Sequence, residues 1–321
     1  MEMIETKGLT KTFKARKGNV EAVRGVDLQV HEGEIFGFLG PNGAGKTTTM
    51  RMLATLLDPT SGQATICGRD LRRESGRVRT QIGYVGQKGG AEVMETGREN
   101  LILQGQLYGM SKAKAQKRAL ELTTRLDLEP FADRLVRTYS GGQRRRLDIT
   151  MGMMHQPRLL ILDEPTTGLD PQSRARIWDE VRRLRSEGVT IFLTTHYMDE
   201  ADGLCDRIAI IDGGKIVSED TPNSLKQQIA GDIISLGLHM QNGTGARVKE
   251  ALHALSFLRE LQETDAGMQL YVERGEEVLP EVLRLLDNNG ATIRTVTLAR
   301  PTLEDVFLRL TGRSLREEQN V

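Results

Sequence analysis

The sequence predicts an α/β fold built on a mainly parallel sheet, followed by a smaller α+β domain. Three observations carry that expectation. The segment Gly40-Pro41-Asn42-Gly43-Ala44-Gly45-Lys46-Thr47 fits the phosphate-loop pattern G-x-x-x-x-G-K-[ST] and stands between an apolar run, Ile35 to Leu39, and a helix-like run, Thr48 to Leu53. Continuous apolar runs at Leu159–Leu162, Val189–Leu193 and Ile208–Ile211 have the character of buried parallel strands, and a helical pattern lies among them. After Ile229 the composition shifts to a new strand and helix pattern.

From the start, Met3 to Arg24 alternates apolar with polar residues (Ile4, Leu9, Phe13, Val20, Val23), and Val26–Val30 does the same. Period two predicts a small antiparallel sheet leading into the strand before the glycine-rich loop. Between Glu99 and Asp133, Leu101, Leu103, Leu107, Ala119, Leu122 and Leu126 recur at helical spacing, so a helical subdomain is expected over about residues 88–155. Arg174 to Ser186 predicts an amphipathic helix with Ile177, Trp178, Val181 and Leu184 as its stripe.

The segment Ala230-Gly231-Asp232 is the expected boundary, giving domains 1–229 and 230–321. Beyond it the pattern predicts a strand (Ile233–Met240), a helix (Ala246–Leu255) and two strands (Leu258–Gln262, Met268–Val272). A helix (Val278–Asn288), a strand (Thr292–Leu298) and a last helix (Thr302–Leu310) follow, close to a ferredoxin-like order. Arg313–Val321 is charged and expected to fray.

Composition narrows the classes of function. A chain of 321 residues is long enough for about two domains of ~150 residues. Lys plus Arg and Asp plus Glu are 44 each, so no net charge steers the protein to nucleic acid or anionic lipid. Cys67 and Cys205 form no C-x-x-C pair, which argues against a disulfide framework or a zinc site. The opening Met1-Glu2-Met3-Ile4-Glu5 lacks the apolar core of a signal peptide, and no apolar run approaches the ~18 residues of a membrane span. A cytoplasmic location is expected, with any membrane contact made through a partner.

The chemistry starts at the glycine-rich loop. A turn between strand and helix points successive backbone N–H groups into one concavity, which the positive end of the helix also faces. Gly40, Pro41, Asn42, Gly43, Ala44, Gly45, Lys46, Thr47 and Thr48 are thus expected to hold nucleotide phosphates, with Lys46 on the β- and γ-phosphates and Thr47 on Mg²⁺. The strand Leu160-Ile161-Leu162 ends in Asp163 and Glu164; the first carboxylate suits Mg²⁺ and the second suits polarising the attacking water. Tyr139-Ser140-Gly141-Gly142-Gln143 opens a second anion-binding helix, which makes sense if it closes over ATP held by another subunit.

The pattern Ser-Gly-Gly-Gln upstream of Asp163-Glu164 resembles the signature motif of ABC-type ATPases, and the resemblance runs from about Glu5 to Ser218. It implies that Gln87 is the Q-loop glutamine, touching Mg²⁺ or water and sensing the transporter partner. It implies that Gly168-Leu169-Asp170 is the D-loop, coupling two sites across a dimer, and that His196 is the switch histidine on the γ-phosphate. Phe13 is the candidate for stacking on adenine. Tyr139 stands where leucine is commoner and Gly86 where proline is commoner; both occur in drug-export subfamilies. The run Arg144-Arg145-Arg146 is expected to be the exposed face of the signature helix rather than a nucleic-acid contact.

Arg300 to Leu308, Leu310-Thr311-Gly312, Tyr84 to Gln87 and Thr96 to Leu101 resemble daunorubicin-resistance-type exporters. That resemblance implies ATP and Mg²⁺ as cofactors and a head-to-tail homodimer, in which Ser140, Gly141, Gly142 and Gln143 of one copy cover the ATP of the other. It also implies a separate membrane permease docked near Gln87–Arg98, at the cytoplasmic face of the cell membrane, and export of a drug-like small molecule. Gly89 to Met94 is unlike the common family sequence there. The alternatives are export of a lipid or polysaccharide, a regulatory ATPase tied to a sensor kinase, and a soluble ABC ATPase acting on ribosomes or DNA. Against the last stand the single nucleotide-binding domain, the lack of a long coiled coil and the zero net charge. In the last helix, Leu303, Val306, Phe307 and Leu310 serve either dimer support or the domain's own core.

Overall fold

The computed structural model describes residues 1–15, 18–229, 231–239, 244–264 and 267–312. It divides into two units, Met1–Thr221 and Pro222–Val321.

In the first unit the strand Glu2–Ala15 pairs antiparallel with Gly18–His31 on one side and Ser61–Ile66 on the other, with Arg69–Asp70 at the edge. Alternation along Gly18–His31 turns Val26, Leu28 and Val30 inward, as a strand buried on one face must. A six-stranded sheet lies against it. Its order is Lys215–Asp220, Arg207–Asp212, Ile35–Leu39, Thr190–Thr195, Leu159–Asp163 and Ile82–Val85, parallel except for the first pair. Ile35–Leu39, Thr190–Thr195 and Leu159–Asp163 are buried at every position, which is why their sequences show no alternation. In the core Phe192 stacks on Phe36, with ring centroids 5.9 Å apart, and meets Phe38 at a tilt, with centroids 5.7 Å apart.

Register places the functional ends. Leu39 pairs with Thr195, and Thr194 pairs with Asp163, so three adjacent strands finish side by side. Ligands of open parallel sheets bind at these carboxyl ends.

The helical part contains Gly97–Leu107, Lys112–Arg125 and Gly141–Gly152. Leu101, Ala119, Leu122 and Leu126 are buried as their spacing predicts, but Leu103 and Leu107 are 48% and 74% exposed. The helix turns Asn100, Leu101 and Gly105 inward, which leaves the Leu103–Leu107 pair on another face.

In the second unit, Asp232–His239, Leu258–Thr264, Gly267–Val272 and Thr292–Ala299 form an antiparallel sheet. The spatial order is Leu258–Thr264, Gly267–Val272, Asp232–His239, Thr292–Ala299, as in a ferredoxin-like unit. Helices Thr244–His253 and Gly275–Asn288 contribute Val248, Leu252, Val282 and Leu286 to its core. The sequence places the domain boundary at Ala230; here the helix Pro222–Ile229 groups with the second unit, because it packs against the last helix, Leu303–Thr311. Leu303, Val306 and Phe307 are buried, which makes them core and leaves only Leu310 of that stripe exposed. Ala230, Met240 and the tail Arg313–Val321 lie outside the described residues.

Candidate nucleotide site

Two glycines of the loop are required by space. A Cβ on Gly40 would come within 2.3 Å of the Ile211 carbonyl oxygen, and one on Gly45 within 2.5 Å of that of Ala22. Gly43 and Gly45 also have φ of 78° and 102°, a region other residues rarely enter. Gly45 caps the helix Lys46–Leu53 with no side-chain hydrogen bond of its own, and the start of this helix faces the loop. Lys46 is 4% exposed. Its Nζ donates to the Gly40 and Pro41 carbonyls at 2.6 and 3.0 Å and lies 3.6 Å from Glu164 Oε1. The ammonium thus spans the mouth of the loop, where a phosphate would bring negative charge.

The neighbouring strands supply the carboxylates. Asp163 Oδ1 accepts from Thr194 Oγ1 at 2.7 Å and from Thr47 Oγ1 at 3.3 Å. Thr47 and Asp163 therefore present adjacent hard oxygen atoms. Among the described residues no group of three or more His, Cys, Asp or Glu could hold a metal ion. A small divalent cation here would have to complete its shell with phosphate oxygens and water, as Mg²⁺ commonly does.

Glu164 follows Asp163 with φ +45°. This left-handed conformation costs a residue with a side chain roughly 1–2 kcal/mol. Its N–H donates to Thr194 Oγ1 at 3.1 Å. Its Oε2 accepts from Gln87 Nε2 at 3.1 Å and from Thr167 Oγ1 at 3.2 Å. Its Oε1 lies 3.6 Å from Lys46 Nζ and 3.3 Å from His196 Nδ1. Burial pushes the carboxyl up, but the His196 ring, the Lys46 ammonium and the Thr167 hydroxyl outweigh it and hold the group below the ordinary glutamate value. The carboxylate form, the one able to take up a proton from water, is favoured.

The structure thus brings Gly40 to Thr48, Gln87, Asp163, Glu164 and His196 into one site. The remaining sequence candidates lie elsewhere. Ser140 and Gln143 form a capping box on the helix Gly141–Gly152, Ser140 Oγ accepting from Gln143 N at 3.2 Å and Gln143 Oε1 from Ser140 N at 3.1 Å. Asp170 caps Pro171–Ser186, accepting from Ser173 N at 2.9 Å and Ser173 Oγ at 2.6 Å; the Ser173 bonds hold its carboxyl low. These two helix starts adjoin, since a Cβ on Gly142 would meet Ser173 Oγ at 2.6 Å and one on Gly141 would lie 3.3 Å from Leu169. Phe13 is 40% exposed on the strand Glu2–Ala15, with the Lys11 ammonium 5.3 Å from its ring centroid.

One expectation fails. Arg145 is not on an exposed face; it is 7% exposed, and its guanidinium donates to the carbonyls of Pro165, Gly86 and Asp163 at 2.9, 2.7 and 2.8 Å. Arg146 is half-buried and donates to the Asp127 carbonyl at 3.2 Å. The helical period carries the missed signal: Gly142, Arg145, Ile149 and Gly152 fall on one side of the helix, and all are buried. Thr194 was also missed, because its apolar strand reads as core; no pattern marks its hydroxyl as a partner of both carboxylate positions. Glu200 is fully buried and accepts from Thr166 Oγ1 at 2.8 Å and Trp178 Nε1 at 3.0 Å. No motif pointed to it.

Comparison with known proteins agrees with this geometry. Residues 23–167 match the family described as ABC transporter, and residues 221–311 match the ATP-binding protein DrrA1-3-like C-terminal domain. The chain is 43% identical to the daunorubicin/doxorubicin resistance ATP-binding protein DrrA of Streptomyces peucetius, over 96% of this chain and 92% of that one. It is 39% identical to the Nod factor export ATP-binding protein I of Cupriavidus pinatubonensis (strain JMP 134 / LMG 1197), over 95% and 91%. Among solved structures, the dimeric post-hydrolysis state of the ATP-binding cassette MJ0796 bound to ADP and Pi matches with a TM-score of 0.63 and 29% identity, covering 68% of this chain and 98% of that one. An ATPase site of this build, joined to a DrrA-like second domain, makes the chain a member of the ABC transporter family, an ATP-binding subunit of the daunorubicin-resistance type.

Proposed function

We infer that this chain hydrolyses ATP to drive export of a drug- or antibiotic-like molecule through a separate membrane permease. The observation that carries the chemistry is the Glu164 carboxylate, gathered with Gln87, Lys46 and His196 beside the glycine-rich loop. The loop N–H groups and Lys46 bind and neutralise the phosphates. Thr47 and Asp163 would hold Mg²⁺, which would supply neutralisation of phosphate charge. Glu164 accepts a proton from the attacking water, Gln87 orients the carboxylate, and His196 donates toward the γ-phosphate. These gains are positioning and electrostatics.

No helix among the described residues is long and apolar enough to cross a membrane, which supports a permease on a separate chain and a peripheral place for this one. The dimeric state of the solved cassette supports a head-to-tail pair of this chain, with Ser140, Gly141, Gly142, Gln143 and Asp170 of one copy over the nucleotide of the other and Phe13 against its adenine. A lipid or polysaccharide is the second reading of the cargo, since one relative is named for Nod factor export and not for drug resistance. Cargo choice rests with the permease on either reading.

The test is steady-state hydrolysis by the purified chain. Glu164→Gln is expected to lose about a hundredfold or more in turnover, the scale of general-base catalysis. It keeps ATP affinity and accumulates as an ATP-bound dimer on size-exclusion chromatography. A monomeric Glu164→Gln protein that turns over at the parental rate overturns the assignment.

A further inference from the structure

We propose that Arg145 is a positioning residue for ATP hydrolysis: from within the helix Gly141–Gly152 its guanidinium fixes the backbone on both sides of Glu164 and immediately before Gln87. The proposal rests on the reading of Glu164 as the carboxylate that orients water.

The geometry is specific. Nη2 donates to the carbonyl of Asp163, Nε to that of Pro165, and Nη1 to that of Gly86. The residue between the first two carbonyls is Glu164, whose backbone is left-handed. Such a conformation persists only where the surroundings over-determine it. Carbonyls one residue to either side are the natural handles, and a rigid planar guanidinium sets the distance between them. The third carbonyl precedes Gln87, whose amide donates to Glu164 Oε2. One side chain thus anchors both members of the Gln87–Glu164 hydrogen bond.

The same helix holds the loop after Gln87 a second time. Asp148 accepts from the N–H groups of Gly90 and Ala91 at 3.0 and 3.3 Å. Gly89 passes so close that a Cβ there would lie 2.3 Å from Asp148 Oδ2. A shift of the helix is therefore transmitted to Gln87 and to Glu164 together. A lysine at 145 has one cationic nitrogen and cannot reproduce three donors in a plane. A methionine fills similar space with no donor at all.

The experiment compares the full chain with Arg145→Lys and Arg145→Met, measuring kcat and KM for ATP, affinity for a fluorescent ATP analogue, and thermal unfolding. The expected result is a fall in kcat of at least fivefold, with KM and analogue affinity within twofold. A misplacement near 1 Å is worth up to about a hundredfold. A smaller fall in kcat, or kcat and affinity falling together, overturns the proposal. Arg145→Gln, which keeps a planar donor, replaces either variant that does not fold and is held to the same thresholds. If none of the three folds, the role is structural and the proposal fails. Glu164→Gln is assayed alongside: its retaining parental turnover refutes the reading of Glu164 itself, whereas its inactivity beside fully active Arg145 variants refutes the role of Arg145 alone.

Discussion

At the scale of single residues, the site depends on one hydroxyl that no motif marks. Thr194 Oγ1 donates to the Asp163 carboxylate and accepts from the backbone N–H of Glu164, so it joins the two successive acidic residues of the candidate site. Thr194→Val keeps the shape and removes both bonds. The Glu164 N–H is then unsatisfied, at about 1–3 kcal/mol. The expected outcome is a loss of that size in denaturant titration, with turnover reduced about tenfold because the left-handed backbone of Glu164 relaxes. Unchanged stability and turnover would show that Glu164 is held by other means. Lys46, Asp163, Glu164 and His196 were legible in the sequence because each closes a strand or opens a helix at a fixed place in a motif. Thr194 was not, since a threonine inside a buried β-strand satisfies strand preference whatever its hydroxyl does.

At the scale of elements, helices tie the loops around the candidate site together through buried polar groups. Glu200, in the helix Met198–Leu204, bonds Thr166, which follows the Asp163-Glu164 strand, and Trp178 of the helix Pro171–Ser186. Burial raises its carboxyl above the ordinary glutamate value, against the neighbouring Thr195, Thr166 and Trp178 side chains, which lower it. The folded chain retains a proton that the unfolded chain releases, so Glu200 costs stability as pH rises above the ordinary glutamate value. Thermal unfolding measured at several pH values upward from that point is expected to show Glu200→Gln gaining on the parent as pH rises; a constant offset would mean that Glu200 is ionised in the fold. The helix Gly141–Gly152 shows why element-level reading of sequence stops short. Three successive arginines look like a solvated face, yet successive helix positions are about 100° apart, and Arg145 is the one that turns inward. Leu103 and Leu107 fail in the opposite sense: their own i, i+4 spacing is helical, but it belongs to the face the fold leaves open.

At the scale of the whole molecule, every residue of the candidate site belongs to Met1–Thr221, and each unit has its own apolar core. A chain ending at Thr221 is therefore expected to bind a fluorescent ATP analogue within about threefold of the full chain, since the first unit holds every candidate residue and folds around an apolar core of its own. Loss of binding on truncation would show that the second unit supports the site. The two-unit plan was readable from the change of pattern near residue 230. The allegiance of the helix Pro222–Ile229 was not, because it depends on packing against a helix some eighty positions later. The level finish of Ile35–Leu39, Thr190–Thr195 and Leu159–Asp163 has a consequence for how such a chain can change over generations. One residue inserted within any of these strands would advance its end by about 3.3 Å and reverse the facing of every side chain beyond it. A volume-conserving apolar substitution leaves that register intact, whereas an inserted or deleted residue does not. A change of length is thus expected to be tolerated in the segments that leave the sheet and not within these three strands.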